Sequence, residues 1–362
     1  MPLPEKRLSL DRVDFRGSLS GAEIDSIVVD DRVRVLQTSE PAGVDIWELH
    51  NDRFFSRRPD VQLRIYGHYG LTCELSFLPR MNNVRRLSVD CLDGASSVDA
   101  LAKLKGLQSL GIGIRSLESF DFLSGLDGSC LTDLALMATF SKRPSLSLLA
   151  GFDKLERLYL EGQQKDIEVI ARLTLLQDLT LRSVSVVDLH FLRKLPSLWS
   201  LDIKLGGCRD LAALAGLQNL KYLELWQIKG LRDLVPVSSM TGLQYLFLQS
   251  LRQVTCLPNF TDLQHLRRVH LENMKGLSTL VPLETAPALE ELVCVSAKDL
   301  RPKDFEALLR KPTLKRLLAG LGSDSANSAV RVMMQEAGIE VYQRHPFSFR
   351  DASQRTRERG WN

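Results

Sequence analysis

His270 and Glu272 stand two residues apart, so an extended backbone would carry their imidazole and carboxylate on one face, an arrangement able to pass a proton as acid and base. Of the other histidines, only His265 lies near them. His50, His68, His190 and His345 are scattered, and no serine or cysteine column accompanies the pair as a nucleophile. The six cysteines (Cys73, Cys91, Cys130, Cys208, Cys256, Cys294) stand singly, without C-x-x-C spacing or clustered histidine, so no metal-ligand set is visible. The phosphate-binding G-x-x-x-x-G-K-S/T, the nucleophile elbow G-x-S-x-G and the zinc motif H-E-x-x-H do not occur. The expectation is a protein that is not an enzyme and that takes no cofactor and no metal.

Recognition chemistry is denser. Three series of residues step through the middle of the chain at intervals of about 23. One reads Arg157, Asp178, Ser200, Tyr222, Tyr245, Arg268. A second reads Tyr159, Thr180, Asp202, Glu224, Phe247, His270, and a third Glu161, Arg182, Lys204, Trp226, Gln249, Glu272. Four aromatics of these series fall in two adjacent steps, ringed by charges, which is the composition of a protein-binding hot spot. The partner-binding candidates are Tyr159, Glu161, Arg182, Asp202, Lys204, Tyr222, Glu224, Trp226, Tyr245, Phe247, Gln249, Arg268, His270 and Glu272. The same residues would also suit stacking on one another across neighbouring strands, stabilising a sheet with no partner.

Positioning them requires stacked strands, and the repeat supplies these. The pattern L-x-x-L-x-L recurs with its first apolar residue at Val84, Leu107, Leu131, Leu155, Leu176, Leu198, Leu220, Leu243, Leu266, Leu289 and Leu314. Clear copies are Leu155-Glu-Arg-Leu158-Tyr-Leu160 and Leu243-Gln-Tyr-Leu246-Phe-Leu248; an earlier copy in register at Asp60 brings the number to twelve. Each x-x-L-x-L-x-x is a strand with its leucines on one side, unable to bury them alone, so consecutive copies must stack into a solenoid. The return segments carry apolar residues three apart (Val98, Leu101, Leu104; Leu189, Leu192, Leu195; Leu211, Leu214, Leu217; Leu277, Leu280, Leu283), a spacing for short helical or 3₁₀ turns. Pro196, Pro287 and Pro312 end such turns two residues before the next strand's first leucine.

Over roughly Asp60 to Leu321 the chain resembles the leucine-rich repeat family, most of all its short-repeat internalin-like bacterial class. The resemblance implies an α/β leucine-rich-repeat solenoid, with a curved parallel sheet on the concave face, short helices or 3₁₀ turns on the convex face, and terminal caps. In one column the chain departs from the family. Asn or Cys is usual three residues after the last strand leucine; here the column reads Val184, Ile228, Leu251, Met274 and Ala297, so the turn's backbone needs other partners.

The expected organisation is an N-terminal cap over 1–59, the solenoid over 60–322, a C-terminal cap over 323–345 and a flexible basic tail over 346–362. In the cap, Ile27-Val28-Val29 through Leu36 reads as strand, and Val44 to Leu49 as an amphipathic helix turning Trp47, Phe54 and Phe55 inward. A second helix is expected from Ser325 to Gly338, with Val330, Met333, Met334 and Ala337 on its apolar side, followed by a last strand at Ile339–Tyr342. The formal charge is only +3, which the five arginines of residues 341–362 set against Asp351 and Glu358 account for, so a nucleic-acid partner is not expected. Mixed charge after Met1 gives no signal-peptide core, and no run of eighteen apolar residues occurs, so no membrane segment is expected. Single cysteines in apolar stretches suit a reduced cytoplasmic protein, monomeric by itself. The function these features and the resemblance imply is a protein–protein interaction module holding a folded partner on its concave face. Its narrower form is a bacterial toxin-neutralising (immunity) or effector-binding protein; its alternative is a regulatory or scaffold subunit of an enzyme complex.

Overall fold

The computed structural model describes residues 11–68, 70–142, 144–185 and 188–350. The chain divides into two compact units between Leu176 and Gln177. In the first unit the strands are β1 (Arg12–Asp14), β2 (Val35–Thr38), β3 (Gln62–Tyr66), β4 (Cys73–Glu74), β5 (Arg86–Leu92), β6 (Ala95–Ser96), β7 (Ser109–Ile114), β8 (Asp133–Leu136) and β9 (Arg157–Glu161). All pair in parallel; β4 and β6 form a small sheet of their own beside the main one. The second unit holds β10 (Asp178–Arg182), β11 (Ser200–Lys204), β12 (Tyr222–Trp226), β13 (Tyr245–Gln249), β14 (Arg268–Glu272), β15 (Glu291–Val295), β16 (Arg316–Ala319) and β17 (Glu340–Val341), again parallel throughout.

The registers align the repeat leucines. Leu179, Leu201, Leu223 and Leu246 pair in sequence, as do Leu181, Ile203, Leu225 and Leu248, and all eight are buried. Because side chains alternate along a strand, fixing one of these pairs fixes the face of every other residue. The return segments are mostly 3₁₀ turns, such as Val98–Lys103, His190–Lys194 and Ala212–Leu214. Leu101, Leu192, Leu211, Leu214, Leu280 and Leu283 from these segments close the core from behind.

The aliphatic column is explained by the residue before it. Ser183, Leu205, Gln227, Ser250, Asn273 and Ser296, each directly after a strand, all adopt left-handed backbone with φ between 51° and 56°. That twist lets the N–H groups of the first five donate to the last strand carbonyl of the next repeat, as Ser183 does to Lys204 (2.7 Å), Gln227 to Gln249 (2.8 Å) and Asn273 to Val295 (3.0 Å). The turn backbone is thereby satisfied by neighbouring backbone, which leaves Val184, Ile228, Leu251, Met274 and Ala297 to point into the core as buried side chains.

At the N-terminal end one expectation is overturned. Ile27 and Val28 end a helix, Gly21–Val28, rather than beginning a strand. Ser20 and Glu23 form a reciprocal capping box that starts it, and Ile24, Ile27 and Val28 fall on its buried face. The strand is confined to β2, which pairs with β3 in the repeat register, Leu36 opposite Leu63. The helix Val44–His50 forms as expected, with Trp47 stacked on Phe77 at 4.1 Å and Phe54 and Phe55 fully buried. At the other end the helix Asp324–Glu336 buries Val330 and Met334, whereas Ala337 is exposed just beyond the helix.

Candidate functional site

The registers from β10 to β14 set the candidate residues in three rows on the sheet face opposite the leucines. Arg182, Lys204, Trp226, Gln249 and Glu272 lie side by side; so do Thr180, Asp202, Glu224, Phe247 and His270, and Asp178, Ser200, Tyr222, Tyr245 and Arg268. Tyr159 and Glu161 belong to the first unit, where the Tyr159 hydroxyl donates to Glu161 at 3.1 Å.

Neighbouring side chains hold one another closely. Lys204 Nζ lies 3.2 Å from both Asp202 and Glu224, the Tyr222 hydroxyl donates to Glu224 at 2.7 Å, and the Thr180 hydroxyl donates to Asp202 at 3.3 Å. Gln249 donates to Glu272 at 2.9 Å, and the Arg182 guanidinium sits 5.7 Å from the Trp226 ring centre. His270 lies 3.5 Å from Glu272 and packs on the Phe247 ring at 4.3 Å. The imidazole–carboxylate pair of the sequence is therefore real, but the groups beside it, a phenyl ring and a carboxamide, carry no nucleophile.

This packing closes much of the face to water. Asp202, Tyr222, Glu224, Phe247 and Arg268 are all buried, none above 5% exposure. Strands about 4.8 Å apart bring large side chains into contact along each row, and contact excludes water without any partner. Arg182, Lys204, Trp226, Gln249, His270 and Glu272 stay half-buried and form the accessible band.

The third row is covered by the chain itself. After β17 the backbone returns over this sheet face, and Phe347 and Phe349 settle on it. Phe349 packs against Trp199 (ring centres 5.1 Å apart) and Tyr222 (6.4 Å); Phe347 packs against Tyr245 (5.2 Å) beneath the guanidinium groups of Arg267 (4.7 Å) and Arg268 (4.9 Å). The His345 ring lies 2.9 Å from both Arg268 and Glu291. Residues 346–350 are thus docked rather than a flexible tail; the remainder of that expected tail, 351–362, lies outside the described residues. Burial pushes the Glu291 carboxyl up, but hydrogen bonds and charge from Arg268, with Arg316 and His345 beside it, outweigh burial and hold it below its ordinary value.

Tyr222, Tyr245 and Arg268, which seat this segment, stand among the candidates read from sequence; the other residues that seat it do not. Trp199, Lys221, Gln244, Arg267 and Glu290 occupy the second position of successive repeats, just before the strands. A signal was present: that position carries a long side chain five times running, and Phe347-Ser-Phe349 follows the last strand.

Scanning the chain against protein-family models gives no match, and no curated protein matches it. Solved structures do. A leucine-rich-repeat protein of Leptospira interrogans aligns at 18% identity and TM-score 0.51, over 90% of this chain and 93% of its own. The protein of a TLR13–ssRNA13 complex aligns at 17% identity and TM-score 0.50, over 87% of this chain and 48% of its own. An internalin of Listeria monocytogenes aligns at 17% identity and TM-score 0.49, over 90% of both chains. What the repeat implied, these structures bear out: this chain has a leucine-rich-repeat fold.

Proposed function

We propose that the chain is a binding module, not an enzyme, whose second unit holds a folded protein partner against the half-buried band Arg182, Lys204, Trp226, Gln249, His270 and Glu272, beside the rows it borders. The observation that carries this reading is preorganisation. Lys204 is fixed between Asp202 and Glu224, and Arg182 is set over Trp226, before any partner arrives. Side chains already held in place lose less freedom on binding, and Arg and Trp are the types most often found as anchors. A nucleic-acid partner fits less well, because Asp202, Glu224 and Glu272 stand among the cations and would repel phosphates. Among the described residues no helix is long and apolar enough to cross a membrane. The buried thiols of Cys73 and Cys294, pushed up to about 12 by burial, suit inert free cysteines in a reducing cytoplasm.

The narrower reading, a bacterial toxin-neutralising or effector-binding protein acting as a monomer, calls for one partner in one-to-one stoichiometry. The test is capture of partners on the intact protein, then titration of the recovered partner against wild type and Trp226→Ala. Weakening by about 2 kcal/mol or more is expected from loss of an anchor. Unchanged affinity removes the site from this band.

A further inference from the structure

We propose that the groove now filled by residues 345–350 is a docking site for an extended segment of a partner protein bearing two aromatic side chains two residues apart. The chain's own Phe347-Ser348-Phe349 fills it as a built-in stand-in. The proposal goes beyond the half-buried band; it rests on the reading above only in assigning the segment to a protein partner.

Three observations carry it. The first is how the groove treats main chain. Gln244 reads one peptide backbone from both sides, its Nε2 donating to the Arg350 carbonyl at 2.9 Å and its Oε1 accepting from the Arg350 N–H at 2.8 Å. Lys221 donates to the same carbonyl at 3.3 Å, and Arg267 donates to the Ser348 carbonyl. These contacts would be made to any extended peptide, whatever its side chains, which is how grooves gain affinity for main chain and leave specificity to pockets.

The second is that the specificity elements are spaced for such a peptide. Residues i and i+2 of an extended chain project to one side. Phe347 and Phe349 do so, entering neighbouring seats, one made by Tyr245, Arg267 and Arg268, the other by Trp199 and Tyr222. Both seats combine ring faces with guanidinium or hydroxyl groups, which suits aromatic side chains better than aliphatic ones.

The third is that the segment is not part of the leucine core. The leucines of β11 to β14 lie on the other side of the sheet and are fully buried there, so vacating the groove wets Trp199, Tyr222 and Tyr245 but opens no core. A tethered segment competes with a high effective concentration, and a partner gains over it by also touching the adjoining band.

The test uses the full chain carrying Phe347→Ala and Phe349→Ala together, and a fluorescein-labelled synthetic peptide spanning residues 340–350 as probe. The peptide should bind this variant about tenfold or more tightly than wild type, because the site is then no longer self-occupied. Adding Gln244→Ala to the variant should remove that binding, and a peptide with both phenylalanines replaced by alanine should not bind at all. No binding to a variant whose circular dichroism matches wild type overturns the proposal, as does equal binding to variant and wild type. If wild type elutes as a dimer that exchanges the segment, the occupant is a second copy and the partner assignment falls. Should the double variant fail to fold, Phe349→Ala alone serves; absence of any gain there also overturns the proposal. The peptide assay involves no captured protein, so its failure and a failure of the half-buried band are read separately.

Discussion

The two units bury the same kind of core and differ in what they place on its reverse side. In the first unit the reverse side is small and closed at β7, while Tyr159 and Glu161 of β9 stay half-buried. Ser109, Gly111 and Gly113 of β7 are buried, and a Cβ on Gly113 would stand 2.8 Å from the Met137 sulfur and 3.1 Å from the Asp90 Cα. Asp90 is held there by Arg64 and by the Ser88 hydroxyl at 2.5 Å. In the second unit the corresponding positions are aromatic and charged, and part of them is roofed by residues 345–350. A repeat that satisfies its core with two leucines per strand leaves the other positions free to diverge, so one scaffold carries small buried residues at β7 and rows of aromatic and charged side chains at β10 to β14.

The largest expected effects test what the units share. Leu134→Ala in the first unit and Leu223→Ala in the second should each cost about 2–5 kcal/mol, since both are buried strand leucines whose loss leaves a cavity. Thermal or denaturant unfolding of the two variants measures this, and a large loss in one with none in the other would break the claim of equivalent cores.

Next come the buried anions that differ between the faces. Asp90 depends on a single arginine for its charge pairing, whereas Glu291 is approached by Arg268, Arg316 and His345. Arg64→Ala should therefore cost about 3 kcal/mol by leaving a buried carboxylate without its cation. Arg316→Ala should cost much less, because Arg268 remains. Denaturant midpoints for the pair decide it; similar losses would mean that the three partners of Glu291 do not substitute for one another.

Acid should then separate groove from core. For both carboxylates burial pushes the value up, yet the arginine bonds outweigh it, leaving Asp90 below its ordinary 3.8 and Glu291 below its ordinary 4.5. A value lowered by folding means stability that is complete above the unfolded value and lost as pH falls through the folded one. Melting temperature should drop on acidification below about 4.5, and the drop should be shallower in Glu291→Gln. Because Phe349 packs on Trp199, indole fluorescence reports whether the segment loosens in the same range. A Glu291→Gln profile that runs parallel to wild type counts against this coupling.

The smallest expected effect concerns the left-handed turn after the strands of the second unit. Leu205 holds φ at 55°, where a side chain costs about 1–2 kcal/mol, while glycine's greater chain entropy costs about 0.5–1 kcal/mol. Leu205→Gly should leave stability unchanged or raise it by up to about 1 kcal/mol. A clear loss would show that its half-buried side chain contributes more than its backbone costs.

Periodicity made the rows of the candidate site legible, since one leucine per strand sets the face and register of every neighbour. It did not reveal which row members face water. Phe247 and Trp226 look alike in sequence, yet Phe247 is 3% exposed against the His270 ring and Trp226 stays half open. Exposure on a sheet depends on the size of side chains two strands away and on whatever lies above, and neither is written in the spacing.

The amino-acid sequence by itself determined the coil: the 23-residue step, the paired strand leucines, the short turns behind them and the helix that carries Trp47. These follow from local periodicity, because an amphipathic strand has no way to bury its leucines except against its neighbours. Two things only the tertiary structure decided. The left-handed residue after each of β10 to β14 supplies the backbone bonds that the missing asparagine column would have made, a matter of φ rather than residue type, as Ser, Leu, Gln and Asn all serve. And residues 345–350 fold onto Trp199, Tyr222 and Tyr245, a contact more than a hundred residues apart in the chain that no local pattern encodes, because its energy exists only once four strands have lined up their second and third positions into one groove.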